Sequence, residues 1–453
     1  MKKIVVIGGG AAGAKAASKA KSSDKSNIVE LYTLDKYVSV SLCGLPYFIE
    51  GVVDDINKLI IRTPEDFYNK EISVFLEHNL EEINPDKNYV VINGVHIFYD
   101  ELILALGANV NIPDIENIAS NYVFTFRDLD SAVKIKEKMK TSKSVIIIGG
   151  GYIALELTEA FVKNGLKVII IEEKNRLLSD FDEEFSNYLQ KYIASNFSDK
   201  VEINFNTKAN KILNDENNDF KGVVDINGNQ YFADFCILAT GAKPNVEIAK
   251  NAGIKLGLTG AIYVDNKMRT NFENIYAIGD CAEKYDIITH QPIYIGLGTI
   301  ANKEGRVAGI NASGIEKENF DGVLNSTITK FFDYTVSKTG LTYAKALSLR
   351  NIVNIEPIEA TIIKKDKAGY MPNSNEMIFR LIADKRSGEI LGAQCMGRYG
   401  NVAQRINTIT ASLKTRTTVE ELLYLDLAYA PPFSGSVDAI LTACYQLKNL
   451  MDK

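Results

Sequence analysis

The sequence has no two cysteines placed to work as a pair. Its five, Cys43, Cys236, Cys281, Cys395 and Cys444, never lie within five residues of one another, so there is no CxxC or CxxxxC redox motif. An odd number at wide spacing fits neither a disulfide framework nor zinc ligation. Mostly free thiols point to a reducing compartment. An excess of positive charge is also missing. The formal net charge is −6 and the pI about 5.5, so no general attraction to nucleic acid is expected. No apolar run approaches the roughly 20 residues needed to span a bilayer. The start, MKKIVVIGGGAAG, offers two lysines and an apolar run. That run is short and breaks into glycines, as a buried strand does and a secretory signal does not. A cytoplasmic protein with neither membrane nor nucleic acid among its partners is the expectation. No metal site is expected.

What is present is a repeat. KKIVVIGGGAAGAKAASKAK (2–21) is an apolar strand, a glycine turn and an alanine-rich helix, and SKSVIIIGGGYIALELTEAF (142–161) follows the same plan. DELILALGA (100–108) and DFCILATGA (234–242) form a second matching pair. With 453 residues, two to four domains are expected, and the repeat makes two of them nucleotide-binding. KNYVVINGVHIFYD and FKGVVDINGNQYFAD carry Asn-Gly between alternating apolar residues, which predicts hairpins. After about residue 322 the glycine fingerprints stop, and strand-like and then helix-like runs predict a separate α+β domain.

Each glycine turn reads G-x-G-x-x-G/A between a strand and a helix. In the first, Gly8 permits the tight turn, Gly10 lets the backbone approach a pyrophosphate, and Gly13 lets helix and strand pack closely. Ala11 and Ala12 open the helix whose free N–H groups would face phosphate. In the second, Gly149, Gly151, Tyr152 and Ile153 hold the same places, with Ala154 third. An acidic residue about 20 residues on accepts a ribose 2′-hydroxyl and repels a 2′-phosphate. Glu172, at the end of KVIIIEE, supplies it, which favours NADH over NADPH. In the first copy the position falls near Thr33, with Asp35 two residues on, and either is a candidate for the ribose.

Two dinucleotide sites suggest FAD in one and NAD in the other. TNFENIYAIGDCAE ends a strand in Gly279-Asp280, where a carboxylate can accept a ribityl hydroxyl. With the two fingerprints, the ALG and ATG segments (Ala105, Gly107 and Gly241) and NIYAIGD, the whole chain resembles the FAD-dependent pyridine nucleotide–disulfide oxidoreductases. The resemblance implies an α/β fold: two Rossmann-like dinucleotide-binding domains, for FAD and NAD, and a C-terminal α+β dimerisation domain. The expected division is 1–111 and 241–322 for FAD, 112–240 for NAD(P)H and 323–453 for dimerisation. Arg127, in TFRDLDSA, matches a flavin position of the family.

Where the family carries its CxxxxC pair, SVSLCGLPYF has Cys43 alone. This resembles the single-cysteine branch: coenzyme A–disulfide reductases, NADH oxidases and NADH peroxidases. A lone thiol can hold oxidising equivalents as a mixed disulfide or as a sulfenic acid. The first makes a disulfide reductase and the second an oxidase. Cys43 also opens the helix-like GLPYFIEG, where a helix start is expected to lower the thiol pKa.

Family resemblance supplies the discriminating residues. Oxidases and peroxidases carry a histidine after the first glycines, and this chain has Ala11 there. Tyr370 in KAGYMPNSNEM and Tyr429 in DLAYAPPFSG match active-site tyrosines of the coenzyme A–disulfide reductases, which reach across from the partner subunit. A phenol there can protonate a departing thiolate. Ser39 and Asn302 match substrate positions. Lys15 and Lys19 lie where the nucleotide end of coenzyme A binds, although lysines at those places are equally solvated surface charges. Leu42 departs from the polar residue often found before the cysteine. The resulting expectation is a homodimer with a shared site. It would reduce coenzyme A disulfide, or a related disulfide or persulfide, with NADH through FAD and Cys43. Coenzyme A would be its substrate or bound adduct. The alternative is an NADH oxidase that reduces oxygen.

Overall fold

The computed structural model describes residues 1–314 and 318–452. Its first sheet is parallel, with strands in the order Ile275–Ala277, Glu101–Leu104, Lys3–Ile7, Ile28–Tyr32 and Ile72–Phe75. The second sheet is its counterpart: Val201–Asn204, Lys167–Ile171, Ser144–Ile148, Cys236–Leu238 and Val123–Thr125, again all parallel. The central strands KIVVI and SVIII are almost wholly buried, as parallel strands covered on both faces must be. The last strand of the first sheet comes after the whole second sheet in the chain, so the second unit is an insertion into the first.

Both expected hairpins form. Tyr89–Ile92 pairs with Val95–Phe98 across Asn93 (φ 46) and Gly94 (φ 75), the two positive φ values of a type I′ turn. Phe220–Asp225 pairs with Gln230–Phe232. From Thr327 onward the chain builds an antiparallel sheet in the order Thr327–Phe331, Tyr334–Gly340, Ile390–Arg398, Glu376–Asp384 and Pro357–Lys365. Helices Arg405–Lys414 and Ala439–Met451 cover it. This is the α/β-plus-α+β architecture expected from the sequence.

Two packings position the site. The first fingerprint helix, Ala11–Ser23, lies against the helix Gly298–Ser313 at very close range. A Cβ on Gly305 would come 2.3 Å from the Ala12 carbonyl oxygen, and one on Gly309 would come 2.4 Å from that of Ala16. The short helix Leu45–Glu50, directly after Cys43, buries Leu45, Phe48 and Ile49. Those residues join the apolar cluster of the second nucleotide unit, with Leu129, Ile135, Leu155 and Phe161, rather than that of the first. Lys136 Nζ donates to the Phe48 carbonyl at 2.6 Å, and Asn164 Nδ2 donates to the Ile49 carbonyl at 3.3 Å, so the second unit satisfies the end of this helix. Buried Asp182 ties the second unit to the C-terminal sheet: it accepts from the backbone N–H of Tyr343 and Ala344 and from Arg380 Nη1.

Candidate active site

The two glycine turns have the same geometry. Gly8 (φ 108) faces the Ala105 carbonyl oxygen, which a Cβ would approach to 2.1 Å, and Gly149 (φ 114) faces that of Ala239, at 2.4 Å. Neither position admits another residue. A Cβ on Gly13 would meet the Gly8 carbonyl at 1.9 Å, the close helix–strand approach expected of the third glycine. Around Gly10 and Gly151 a Cβ would meet nothing within 4 Å. These are the open sides of the two turns, next to the free N–H groups of Ala11, Ala12, Tyr152 and Ile153 at the helix starts. A pyrophosphate fits both. Gly107 (φ 68) and Gly241 (φ 89) turn the chain with open space on their free sides.

At the next strand end, Thr33 covers Gly9 and Glu172 covers Gly150, with approaches of 3.1 Å and 2.8 Å to a built Cβ. Thr33 is buried, whereas Asp35 is exposed; the Thr33 hydroxyl donates to the Asp35 carboxylate at 3.4 Å and accepts from the Asp35 N–H at 3.3 Å. Glu172 Oε1 accepts from the Lys174 N–H at 2.7 Å, and among the described residues its other oxygen has no hydrogen-bond partner. The Tyr152 hydroxyl is turned away onto Asp180 (2.9 Å) and Thr327 (2.8 Å), so that residue offers its backbone rather than its phenol to a ligand. Asp280 and Arg127 form a 2.6 Å ion pair, both half-buried.

Cys43 sits in a 3-10 turn, Leu42–Gly44, that runs into the helix Leu45–Glu50. Ser39 (φ 58) anchors the approach: its N–H donates to the Gly9 carbonyl at 2.8 Å, which ties the cysteine segment to the first glycine turn. Cys43 is the exposed thiol, and the other four are buried. Burial pushes Cys281 up to about 11 and Cys395 and Cys444 to about 12. The expected lowering at Cys43 is not found in the protein alone. Burial raises its pKa, and the carboxylates of Glu156 and then Asp280 add to that, outweighing its own backbone N–H. The helix is only six residues long, too short to counter burial and the two acidic neighbours.

Glu156 is a residue that sequence reasoning missed. It lies on the second fingerprint helix, accepts from the Thr329 hydroxyl at 3.2 Å, and has its own pKa raised by burial. The available signal was a carboxylate, with Glu159, inside the otherwise apolar YIALELTEAF. Arg62 was also missed: it reaches Ser18 at 3.4 Å, on the helix that carries Lys15 and Lys19. Those two lysines are half-buried along the seam with Gly305 and Gly309, one turn from the exposed Asn302. Tyr370 and Tyr429 are 76% and 50% exposed, on loops joined by the Ala368 N–H to the Pro431 carbonyl. Among the described residues neither phenol has a hydrogen-bond partner, and neither tyrosine is bonded to the Cys43 segment of its own chain.

The model of the pyridine nucleotide-disulphide oxidoreductase family matches residues 2–302, and that of its dimerisation domain matches 326–440. The chain belongs to this family. Among curated relatives it is 37% identical over 454 residues to an NAD(P)H sulfur oxidoreductase (CoA-dependent) of Pyrococcus furiosus, covering 99% of each chain. It is 32% identical to an NADH oxidase of Methanocaldococcus jannaschii, covering 100% of each. It is 31% identical to a coenzyme A disulfide reductase of Staphylococcus aureus, covering 99% of this chain and all of the relative. A solved NAD-dependent persulfide reductase from A. fulgidus superposes with TM-score 0.93 at 35% identity, over 99% of this chain and 84% of that one. FAD and NAD(P)H are the family's cofactors, as the two fingerprints lead one to expect. No helix among the described residues is long and apolar enough to cross a membrane.

Proposed function

We propose that this protein is an NADH-dependent reductase of coenzyme A disulfide, or of a related low-molecular-weight disulfide or persulfide, with Cys43 as its only redox-active thiol. One observation carries the reading. The one exposed cysteine follows the first glycine turn and heads a helix rooted in the second nucleotide unit, so a thiol lies where the two units meet. The printed names of the relatives support the substrate class.

The first turn, with Gly8, Gly10, Gly13, Asp280 and Arg127, would hold FAD. The second, with Gly149, Gly151 and Glu172, would hold NADH. When bound, FAD supplies the two-electron chemistry that connects NADH to sulfur. The chain's own part starts with the Cys43 thiolate. It attacks one sulfur of the substrate, so a Cys43–S bond forms as the substrate S–S bond breaks, and the first thiolate leaves. A phenol, Tyr370 or Tyr429 of the partner subunit, donates the proton it needs. Cleavage of the Cys43 mixed disulfide by one electron pair and one proton releases the second thiol and regenerates Cys43. The balance is NADH, a proton and a disulfide giving NAD⁺ and two thiols. Lys15, Lys19 and Arg62 would face the phosphates of coenzyme A. The working unit is a homodimer, supported by the dimerisation-domain match and the exposed Tyr370, Tyr429 and Phe433.

The test is anaerobic NADH oxidation with coenzyme A disulfide, beside Cys43→Ser. Wild type is expected to release two thiols per NADH, and the serine variant is expected to lose the activity. Full activity in the serine variant sinks the reading. Equal NADH consumption with oxygen as sole acceptor transfers it to the sulfenic-acid alternative.

A further inference from the structure

Behind the Gly279–Asp280 turn lies an ion pair that the reaction does not use. We propose that Lys284 and Glu304 are positioning residues that set this turn for the flavin; the inference rests on the reading of Asp280 as a flavin contact. Their side chains are 1% and 0% exposed, with Nζ and Oε2 3.7 Å apart. Both grip the same residue. Glu304 Oε2 accepts the Gly279 N–H at 2.7 Å, and Lys284 Nζ donates to the Gly279 carbonyl and, at 2.8 Å, to that of Ala282. Gly279 is thereby held at φ 72, where a Cβ would lie 3.0 Å from that of Ala12 on the first fingerprint helix. Its successor, Asp280, presents its carboxylate to Arg127.

As a source of stability the pair is poor. Desolvation offsets much of the attraction between buried charges. Here one carboxylate oxygen, Oε1, has no hydrogen-bond partner among the described residues, and burial pushes Glu304 up to about 7. Its effect is geometric: the N–H and C=O of one left-handed glycine are fixed from both sides, and the carboxylate that follows is aimed.

The experiment is FAD binding to the full-length apoprotein, followed by quenching of flavin fluorescence and by the visible spectrum. Glu304→Ala leaves the Gly279 N–H without an acceptor and is expected to weaken FAD by about tenfold or more, with a shifted flavin band. Glu304→Gln keeps an acceptor oxygen and is expected to restore most of the affinity. The double variant Lys284→Met with Glu304→Met also deprives the Gly279 and Ala282 carbonyls of their donor and is expected to bind FAD more weakly than Glu304→Ala. Unchanged FAD affinity in Glu304→Ala, or no recovery in Glu304→Gln, overturns the proposal. So does a double variant that keeps FAD. Wild-type protein that binds no FAD would overturn the flavin reading itself, and this inference with it.

Discussion

The two nucleotide units share a sheet order and a glycine turn, and they differ in what their helices touch. The first fingerprint helix is lined with Ala12, Ala16 and Ala20 and meets a partner helix through glycines, backbone against backbone. The second carries Leu155, Leu157 and Phe161 inward, and Glu156 and Glu159 toward the cysteine segment and the C-terminal sheet. At the strand end that follows, the first has a buried threonine and the second a carboxylate that accepts from the Lys174 N–H through one oxygen. The same turn thus has two settings. Small residues surround it in one unit and carboxylates flank it in the other; under the proposed function the first would hold FAD and the second NADH.

The strongest way to break this contrast is to disable each turn separately. Gly8→Ala places a methyl 2.1 Å from a backbone oxygen at a positive φ, and Gly149→Ala does the same at 2.4 Å. The first is expected to yield protein purified without flavin colour. The second is expected to yield a flavoprotein that dithionite reduces and NADH does not. Absorbance spectra of the two variants decide it, and a swap of the two outcomes would reverse the assignment of the units.

A smaller effect separates the helix packings. Gly305→Ala drives a methyl into the Ala12 carbonyl. Overpacking of this kind costs roughly 1–3 kcal/mol, and here it also moves the first fingerprint helix. A lowered unfolding temperature together with weaker FAD binding is expected. Ala154→Gly, at the third fingerprint position of the second unit, is expected to cost about 1 kcal/mol as a helix-interior glycine and to leave FAD in place.

Third comes the choice of nucleotide. Glu172→Gln removes the charge that repels a 2′-phosphate and keeps an amide that can still meet the ribose. The ratio of kcat/KM for NADPH over NADH is expected to rise about tenfold, the scale of one charged hydrogen bond. No change would mean that Glu172 is only a strand-end carboxylate.

How much of this was legible in the sequence follows from range. The glycine turns, the Asn93-Gly94 hairpin and the repeat were readable because each is set by φ preference and spacing within a few residues. The insertion of one unit into the other was implied by the family resemblance that the motifs carry. The destination of Leu45–Glu50 was not readable: an apolar hexapeptide does not say which core it enters, and it enters the second unit's. Lys284 and Glu304 escaped for the same reason, since each is an ordinary charged residue until the fold closes on Gly279. The pKa of Cys43 was read from its local helix start, and its direction was set instead by burial and then by Glu156, more than 100 residues away.

That distant carboxylate gives the mildest test of the contrast. Glu156 holds Cys43 above its ordinary value, second only to burial. A raised thiol pKa means less thiolate at any pH below it, so alkylation, which needs the thiolate, is slowed there and unaffected well above it. Glu156→Gln removes the opposing charge and keeps a hydrogen-bond acceptor for Thr329. The midpoint of the Cys43 iodoacetamide profile is therefore expected to move down in pH, by less than about one unit because burial remains. The rate is expected to rise several-fold below the midpoint, while the plateau at high pH stays put. The buried thiols do not interfere, because reagent reaches Cys43 alone in the folded protein. The matching change on the first unit, Lys15→Gln, removes a charge that does not shift this thiol and is expected to leave the profile where it is. If both variants shifted the midpoint equally, the thiol would be responding to net charge, and the second helix would have no special hold on it.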